Sequence, residues 1–275
     1  MGTNAAPQAA PGAAPRIEYR SVTKRFGSAG GPTVTAVEGV TLSIRDGEVV
    51  SLIGPSGCGK STLLGMGSGL YLPTQGEVLV DGERVDGPND HVAFMLQKDL
   101  LLPWRTIREN VEYGLEIKGM AAAERRPLAL DLLGRFHLGG FENHYPRQLS
   151  GGMRQRAAMA RTLAVDPSVL LMDEPFSALD AQTKMVLQQD LATMLAREGR
   201  TALLITHDLA ESIILSDRVL VMSPRPGRII EEIPIDLPDR ENPMVRRRKP
   251  GVAVYVERLM ELLRIGETLE TLETA

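Results

Sequence analysis

The chain has 275 residues, of which 43% are hydrophobic, 24% are charged and 4% are aromatic, and its formal net charge is −4. Its single cysteine, Cys58, excludes an internal disulfide framework and a four-cysteine zinc site. We expect no nucleic-acid partner, because nucleic-acid-binding domains are usually basic, and no stretch reaches the roughly 18 uninterrupted apolar residues that cross a bilayer.

The first 15 residues, MGTNAAPQAAPGAAP, are rich in alanine and proline. They lack the basic and apolar regions of a secretory signal, and Ala6 stands where the myristoylation pattern requires Ser or Thr. Because this composition cannot bury a core, it predicts a disordered tail over residues 1–15. One domain is predicted over residues 16–250, followed by a C-terminal helix and an acidic tail over residues 251–275.

Runs of apolar and β-branched residues predict strands along the chain. They lie within residues 17–53 and at residues 76–80, 92–96, 169–172, 201–205, 219–222 and 228–233, the last two forming a hairpin. Helical spacing predicts helices within residues 107–163, after the runs 169–172 and 201–205, and over residues 252–265. Buried strands interleaved with helices favour an α/β fold with a parallel sheet, and the helical block favours an inserted subdomain over about residues 98–163.

A phosphate-binding loop is predicted where the strand run 49–53 meets a helical stretch. The sequence GPSGCGKST there matches G-x-x-x-x-G-K-[ST], and its position between strand and helix disfavours a chance match. Glycines let backbone N–H groups converge on anionic oxygens, and the helix N-terminus adds partial positive charge. The predicted nucleotide-binding residues are Gly54, Pro55, Ser56, Gly57, Cys58, Gly59, Lys60, Ser61 and Thr62, with Lys60 on the β- and γ-phosphates and Ser61 on Mg²⁺.

Two further apolar runs end in candidate catalytic residues. Asp173 and Glu174 follow the run 169–172, and neighbouring strand residues point to opposite sides, so the two carboxylates can have separate tasks. Asp173 suits the Mg²⁺ shell, and Glu174 suits the polarisation of an attacking water. His207 follows the run 201–205 at the edge where phosphates bind, and could orient Glu174. The alternatives are an acid pair at a helix N-terminus and an ordinary surface histidine.

The segment LSGGMRQR at residues 149–156 predicts a second anion site. Ser150 is a good helix N-cap, and Gly151 and Gly152 expose backbone N–H groups. A capped helix start is the simpler interpretation. However, the loop at residues 54–62 already encloses the phosphates of the chain's own nucleotide. A second anion site on the same chain therefore suggests that it binds the nucleotide of another chain.

Together these motifs resemble the nucleotide-binding subunits of ABC transporters, over residues 17–233. The resemblance implies a P-loop NTPase (RecA-like) parallel-sheet core with an antiparallel β subdomain and an inserted α-helical subdomain. It also implies that Phe26 stacks on adenine, with Tyr19 as the alternative, that Gln97 joins Ser61 and Asp173 around Mg²⁺, and that Asp180 lies at a dimer interface. Glu174 and His207 would then be the catalytic pair.

The resemblance further implies a head-to-tail homodimer that sandwiches two ATP molecules. Each ATP would lie between the phosphate loop of one chain and the Ser150, Gly151 and Gly152 segment of the other. Integral membrane permease subunits and a solute-binding protein would complete the system, which would place the chain peripherally on the cytoplasmic face of the inner membrane.

Within this family, three segments resemble the nitrate, sulfonate and taurine importer group: LLPW at 101–104, DEPFSALDAQT at 173–183 and SPRPGR at 223–228. They imply ATP-driven import of a small, nitrate-, sulfonate- or taurine-like anion. Trp104 is either a contact for a membrane subunit or a core residue. The alternative functions are a regulatory ABC ATPase acting on soluble partners and a phosphotransferase.

Three local features remain. Cys58 is expected to be a thiol shielded by nucleotide. The basic run at residues 246–249 predicts a solvated surface turn, with contact to anionic lipid as the alternative. Gly65 and Gly67 lie inside a predicted helix, where each costs about 1 kcal/mol relative to alanine, so they either allow close packing or soften the helix.

Overall fold

A computed structural model of the chain describes residues 15–27 and 31–264. The predicted N-terminal tail lies outside the described residues except for Pro15, which instead begins the first strand. The predicted acidic tail also lies outside them. Across the part of the chain that is described, no helix combines the length and apolarity needed to span a membrane.

The strands in chain order are β1 Pro15–Phe26, β2 Val34–Arg45, β3 Val49–Ile53, β4 Gln75–Val80, β5 Glu83–Arg84, β6 Val92–Met95, β7 Val169–Asp173, β8 Thr201–Ile205, β9 Arg218–Met222 and β10 Ile229–Pro234. The helices are α1 Lys60–Gly67, α2 Ile107–Ile117, α3 Ala122–Arg135, α4 Gly151–Ala164, α5 Ala181–Glu198, α6 Leu209–Leu215, α7 Pro243–Arg246 and α8 Gly251–Leu262, with a short 3-10 helix at Pro146–Gln148.

Two sheets organise the chain. The larger has the strand order β10-β9-β3-β8-β7-β6, and its strands are parallel except for β10, which forms the predicted hairpin with β9. Every residue of β3, β7 and β8 is buried, as their apolar runs predict. The smaller sheet, of order β2-β1-β4-β5, is antiparallel. The predicted α/β fold with an antiparallel β subdomain is therefore confirmed.

Helices α2, α3 and α4 fill the segment between β6 and β7 and pack against one another. Helix α2 begins at a capping box in which Thr106 accepts from the backbone of Glu109 while the Glu109 side chain accepts from Thr106. This inserted helical block leaves the carboxyl ends of β3, β7 and β8 at one edge of the parallel sheet. Ligands of open α/β sheets bind at such an edge.

Close packing explains Gly67 of α1. A Cβ atom at this position would overlap the hydroxyl of Tyr19, whose ring is fully buried in the core between the two sheets. Burial also raises the pKa of Tyr19. Tyr19 is therefore a core residue, and the alternative that it stacks on adenine is wrong.

The solvated turn predicted for residues 246–249 is wrong for Arg246, which is only 1% exposed. Its guanidinium donates to the carbonyl oxygens of Ile214, Ser216 and Ile235, and so joins α7 to the end of α6 and the chain after β10. Burial lowers the pKa of Arg246 to about 10. A buried cation whose two Nη groups donate to carbonyl oxygens is a structural anchor.

Candidate active site

The segment between β3 and α1 forms the predicted phosphate loop beside strand β2. Gly59 has a φ of 111°, and a Cβ there would lie 2.7 Å from both the Ala36 carbonyl oxygen and Val37 Cγ2. Only glycine fits both the left-handed backbone and this close approach. The Lys60 ammonium donates to the carbonyl oxygens of Gly54, at 2.8 Å, and Pro55, at 2.9 Å. Two carbonyl groups of the loop therefore hold the Lys60 ammonium in place.

A cavity of about 420 Å³ opens over this loop. Phe26, Val34 and Ala36 form its apolar end. The loop and the start of α1 contribute Ser56, Gly57, Gly59, Lys60, Ser61 and Thr62. Three further charged residues complete the lining: Asp173, Glu174 and Arg225. Of the predicted loop residues, Gly54, Pro55 and Cys58 are not among those that line the cavity. An apolar end joined to a cationic loop suits a molecule with a flat ring and a polyphosphate.

Asp173 ends strand β7 beside Ser61, and both residues line the cavity. Carboxylate and hydroxyl oxygens are the ligands that Mg²⁺ prefers, and this ion usually takes one or two carboxylates together with substrate phosphates. Within the described residues there is no cluster of three or more His, Cys, Asp or Glu side chains that could hold a metal. The donor set therefore fits Mg²⁺ that is shared with a phosphate.

Replacement of Asp173 by Asn is expected to raise the melting temperature of the nucleotide-free protein at pH 7 by about 1–4 °C. Burial raises the pKa of the Asp173 carboxyl, and the neighbouring Ser61 hydroxyl only partly offsets this. A carboxyl with a higher pKa in the folded state destabilises the fold once the pH exceeds its unfolded value, so the gain should vanish in acid. Thermal melts from pH 4 to pH 8 measure it.

The matched control is Asp81→Asn. Although burial acts to raise the pKa of Asp81, the hydrogen bond and the charge of Arg16, together with smaller contributions from Ser168 and His91, outweigh burial and lower that pKa. Asp81→Asn should therefore lower the melting temperature at neutral pH, whereas Asp173→Asn should raise it. A lower melting temperature for Asp173→Asn at pH 7 would contradict the assignment of a destabilising carboxylate.

Three separately predicted residues meet at one carboxylate. Gln97 Nε2 donates to Glu174 Oε2 at 3.0 Å, and His207 Nδ1 lies 3.3 Å from the same oxygen. The Glu174 backbone N–H donates to the Ile205 carbonyl, which fixes it at the end of β7 beside β8. His207 is 69% exposed on its side chain, so the cluster faces outward from the sheet edge. This geometry can orient a carboxylate toward water above the phosphate loop.

Phe26 and Cys58 have contrasting positions. Phe26 ends β1, is partly exposed and lines the apolar end of the cavity. Cys58 is only 1% exposed and packs in the same hydrophobic cluster as Val37 and Met222. The expectation that nucleotide shields this thiol is wrong, because the protein itself buries it.

Arg225 is a cavity residue that sequence reasoning did not assign. Its Nε and Nη2 atoms donate to the Gly57 carbonyl oxygen at 3.0 Å and 2.9 Å. The chain around it is fixed to β2, because the Gly227 N–H donates to the Ala36 carbonyl at 3.0 Å. The sequence of residues 223–228 indicates only a resemblance to the nitrate, sulfonate and taurine importer group. Nothing in its spacing indicates that the segment returns to the phosphate loop.

The predicted second anion site lies elsewhere in the chain. Ser150 is the N-cap of α4 and accepts from the Met153 N–H, and both Ser150 and Gly151 are exposed. Asp180 is the N-cap of α5, where it accepts from the Thr183 N–H. Of the described residues, neither the segment 150–152 nor Asp180 lines the cavity over the chain's own phosphate loop.

The segment after Gln97 joins the cavity to the helical subdomain. Arg154 Nε donates to Asp99 Oδ2 at 3.0 Å, and Arg161 donates to the Asp99 and Leu100 carbonyls, so this segment is bound to helix α4. Trp104 is 72% exposed, so the core-packing interpretation of this residue is wrong. Leu100 is also exposed, whereas Leu101 packs in the core. The result is an apolar surface over residues 100–104.

Comparisons with known proteins agree with this geometry. The profile of the ABC transporter family matches residues 37–177. The taurine import ATP-binding protein TauB of Yersinia pestis is 45% identical over 205 residues, covering 74% of this chain and 80% of that protein. The nitrate import ATP-binding protein NrtD of Synechocystis is 45% identical over 244 residues, covering 87% and 92%.

Further similarity comes from an archaeal protein and a solved structure. An uncharacterised ABC transporter ATP-binding protein of Methanocaldococcus jannaschii is 46% identical over 222 residues, covering 81% of this chain and 83% of that protein. A dimeric ATP-binding cassette in a post-hydrolysis state, bound to ADP and Pi, is 35% identical with a TM-score of 0.72, covering 80% of this chain and 98% of that one.

Proposed function

This chain belongs to the ABC transporter family, and we propose that it powers import of a small anionic solute through separate membrane subunits. It is an ATP-hydrolysing cassette of the importer type. The relatives named for taurine import and nitrate import are each 45% identical to it, and both solutes carry an anionic group. We therefore assign a nitrate-, sulfonate- or taurine-like solute to the system.

ATP is proposed to bind along the cavity, with its base at Phe26 and its phosphates over the loop of residues 54–62. Backbone N–H groups and Lys60 would contact the β- and γ-phosphates. Ser61, Asp173 and Gln97 would hold Mg²⁺, which would neutralise charge that develops on the phosphate oxygens. Asp173 and Ser61 support this assignment because their side chains lie next to each other at the cavity wall.

Glu174 is proposed to activate the attacking water. Gln97 and His207 both approach Oε2, which leaves Oε1 to accept the proton as the water oxygen bonds to the γ-phosphorus. The bond between that phosphorus and the bridging oxygen of ADP breaks, giving ADP and inorganic phosphate. His207 and Gln97 thus orient the carboxylate, and the convergence of all three motifs on one oxygen is what supports their roles.

Two copies are proposed to close head to tail around two ATP molecules. The exposed backbone of Ser150, Gly151 and Gly152 would contact the γ-phosphate held by the partner's loop, and Asp180 would lie at the interface. The similar cassette bound to ADP and Pi is dimeric. Because α4 also holds the segment after Gln97 through Arg154, closure of the dimer would shift the surface over residues 100–104.

The apolar surface over residues 100–104 is the observation that supports the proposal that the chain acts on membrane subunits. Trp104 and Leu100 are exposed and follow the Gln97 segment, and the Leu100 carbonyl accepts a hydrogen bond from Arg161 of α4. The permease subunits would contact this surface, with a solute-binding protein on the other side of the membrane. The chain would then be peripheral on the cytoplasmic face of the inner membrane.

Replacement of Trp104 by Arg is expected to abolish co-purification with the integral membrane subunits while preserving the ATP hydrolysis of the isolated chain. A charged side chain disrupts an apolar contact surface, whereas the mutated position lies outside the cavity lining. Co-purification from detergent-solubilised membranes measures the first effect, and phosphate release measures the second. Ile230→Arg, on exposed β10, is the matched control.

The same experiment separates the competing functions. If Trp104→Arg retained the membrane subunits, the proposed contact surface would be wrong. If the wild-type chain captured only soluble proteins, the regulatory ATPase alternative would replace the import function. Reconstituted vesicles that hydrolysed ATP faster with a solute-binding protein and taurine, a sulfonate or nitrate would support the assigned solute class.

A further inference from the structure

The aromatic ring at the apolar end of the cavity has a partner of its own. Tyr71 packs against Phe26 with ring centroids 5.7 Å apart and an interplanar angle of 87°. Edge-to-face arrangements of this kind are favourable because the positive edge of one ring meets the negative face of the other. Tyr71 contacts the lining ring but is not itself among the described residues that line the cavity.

Gly65 of helix α1 makes room for this tyrosine. A Cβ at position 65 would lie 2.5 Å from Tyr71 Cδ2 and 2.7 Å from Cε2, distances at which the ring must move. The Tyr71 N–H also donates to the Gly65 carbonyl at 3.0 Å. Alanine favours a helix over glycine, so the glycine is explained by the ring that covers it and not by the helix.

The turn that carries Tyr71 is attached to the strand that carries Phe26. The Thr74 N–H donates to the Thr23 carbonyl at 2.7 Å, and Thr74 Oγ1 accepts from the Arg25 N–H at 3.0 Å. These bonds set the distance between the turn and the last residues of β1. Tyr71 is thus held from two sides, by α1 and by β1.

A lysine completes the arrangement. The Lys24 ammonium lies 5.2 Å from the centroid of Phe26 and 5.8 Å from that of Tyr71, and it donates to the Leu72 carbonyl at 2.7 Å. A cation at these distances is attracted to both rings. The ammonium therefore joins the two aromatic residues to the turn.

We propose that Tyr71 is a positioning residue for the nucleotide base, which acts by holding the Phe26 ring in the rotamer that lines the cavity. A partly exposed ring at a strand end can otherwise occupy several staggered rotamers, and binding to one of them carries an ordering cost. The edge-to-face contact removes that cost before the base arrives. The inference rests on the proposed role of Phe26 as the base platform.

The test compares steady-state ATP hydrolysis by six variants, of which the sixth is Phe26→Ala alone. Tyr71→Ala should raise KM for ATP about three- to tenfold and leave kcat within about twofold, because only the base contact is affected. Tyr71→Phe, which retains the ring, should match the wild type. Gly65→Ala should raise KM in the same direction as Tyr71→Ala. Leu72→Ala, an exposed side chain in the same turn, is the matched control and should match the wild type.

Two further readouts exclude a general structural effect. Tripolyphosphate has no base, so its inhibition constant against ATP should be unchanged in Tyr71→Ala. The fifth variant, Phe26→Ala with Tyr71→Ala, should have the same KM as Phe26→Ala alone, because Tyr71 acts through Phe26. Fully multiplicative KM effects, or weaker tripolyphosphate inhibition, would overturn the inference.

The outcomes also separate the inference from its premise. If Phe26→Ala raises KM and Tyr71→Ala does not, Tyr71 has no positioning role and the base platform stands. If Phe26→Ala leaves KM unchanged, Phe26 is not the base platform, and the positioning role of Tyr71 is then wrong as well.

Discussion

Replacement of Glu174 by Gln is expected to lower ATP hydrolysis at least about 100-fold while ATP binding is retained. The amide keeps the shape of the side chain and can still pair with Gln97, but it cannot accept a proton from water. Because ATP would then persist in both sites, the variant should accumulate as an ATP-dependent dimer. Phosphate release measures the rate, and size-exclusion chromatography with light scattering measures the dimer.

Glu77→Gln is the matched control, since Glu77 is a partly exposed acid on β4 that forms an ion pair with Arg20. It should hydrolyse ATP at the wild-type rate and show no added dimer. His207→Ala should reduce the rate less than Glu174→Gln if the histidine orients the carboxylate, because Gln97 still donates to Oε2. Near-normal turnover by Glu174→Gln would show that another group activates the water.

The parts of the site that lie within one strand–loop–helix unit were predictable from sequence. The phosphate loop needs a strand, glycines and a helix in immediate succession, so residues 49–62 contain all the information that defines it. Asp173, Glu174 and His207 could be added because parallel strands bring their carboxyl ends to one edge, and that rule depends only on strand type. The placement of Asp173 and Glu174 at the cavity, and of His207 beside Glu174, therefore followed from topology.

Residues whose environment is created by distant chain segments were not predictable in the same way. Arg246 looked like a surface charge because a basic run is usually solvated, and only the packing of α7 against α6 brings three carbonyls to its guanidinium. Cys58 is buried because the loop passes beside β2, which no local pattern indicates. Phe26 and Tyr71 are 45 positions apart, and their contact depends on the path of the turn after α1.

Mixing two inactive variants is expected to restore ATP hydrolysis if the active sites form between chains. Lys60→Ala removes the loop cation, and Gly151→Asp places a negative charge where the partner's γ-phosphate would lie. In a mixed dimer one site loses both groups, whereas the other keeps an intact loop and an intact Ser150–Gly152 segment. With random pairing, specific activity should recover to about a quarter of the wild-type value, compared with near-zero activity for either variant alone.

Gly151→Asp is suited to this test because the structure accommodates it. A Cβ at position 151 would meet only Arg154 Nη2, at 3.9 Å, and an acidic residue in the first turn stabilises a helix N-terminus. Its loss of activity would thus report repulsion of phosphate and not misfolding, which thermal melts can verify.

The control pairs the Lys60→Ala chain with a chain that carries both changes, so that every loop in the mixture lacks its lysine. No recovery is expected there, because dimer formation alone supplies no intact site. If instead the two single variants also failed to complement, while light scattering showed that they dimerise, the segment 150–152 would have to serve its own chain. That result would contradict the cavity geometry, in which none of the described lining residues comes from α4.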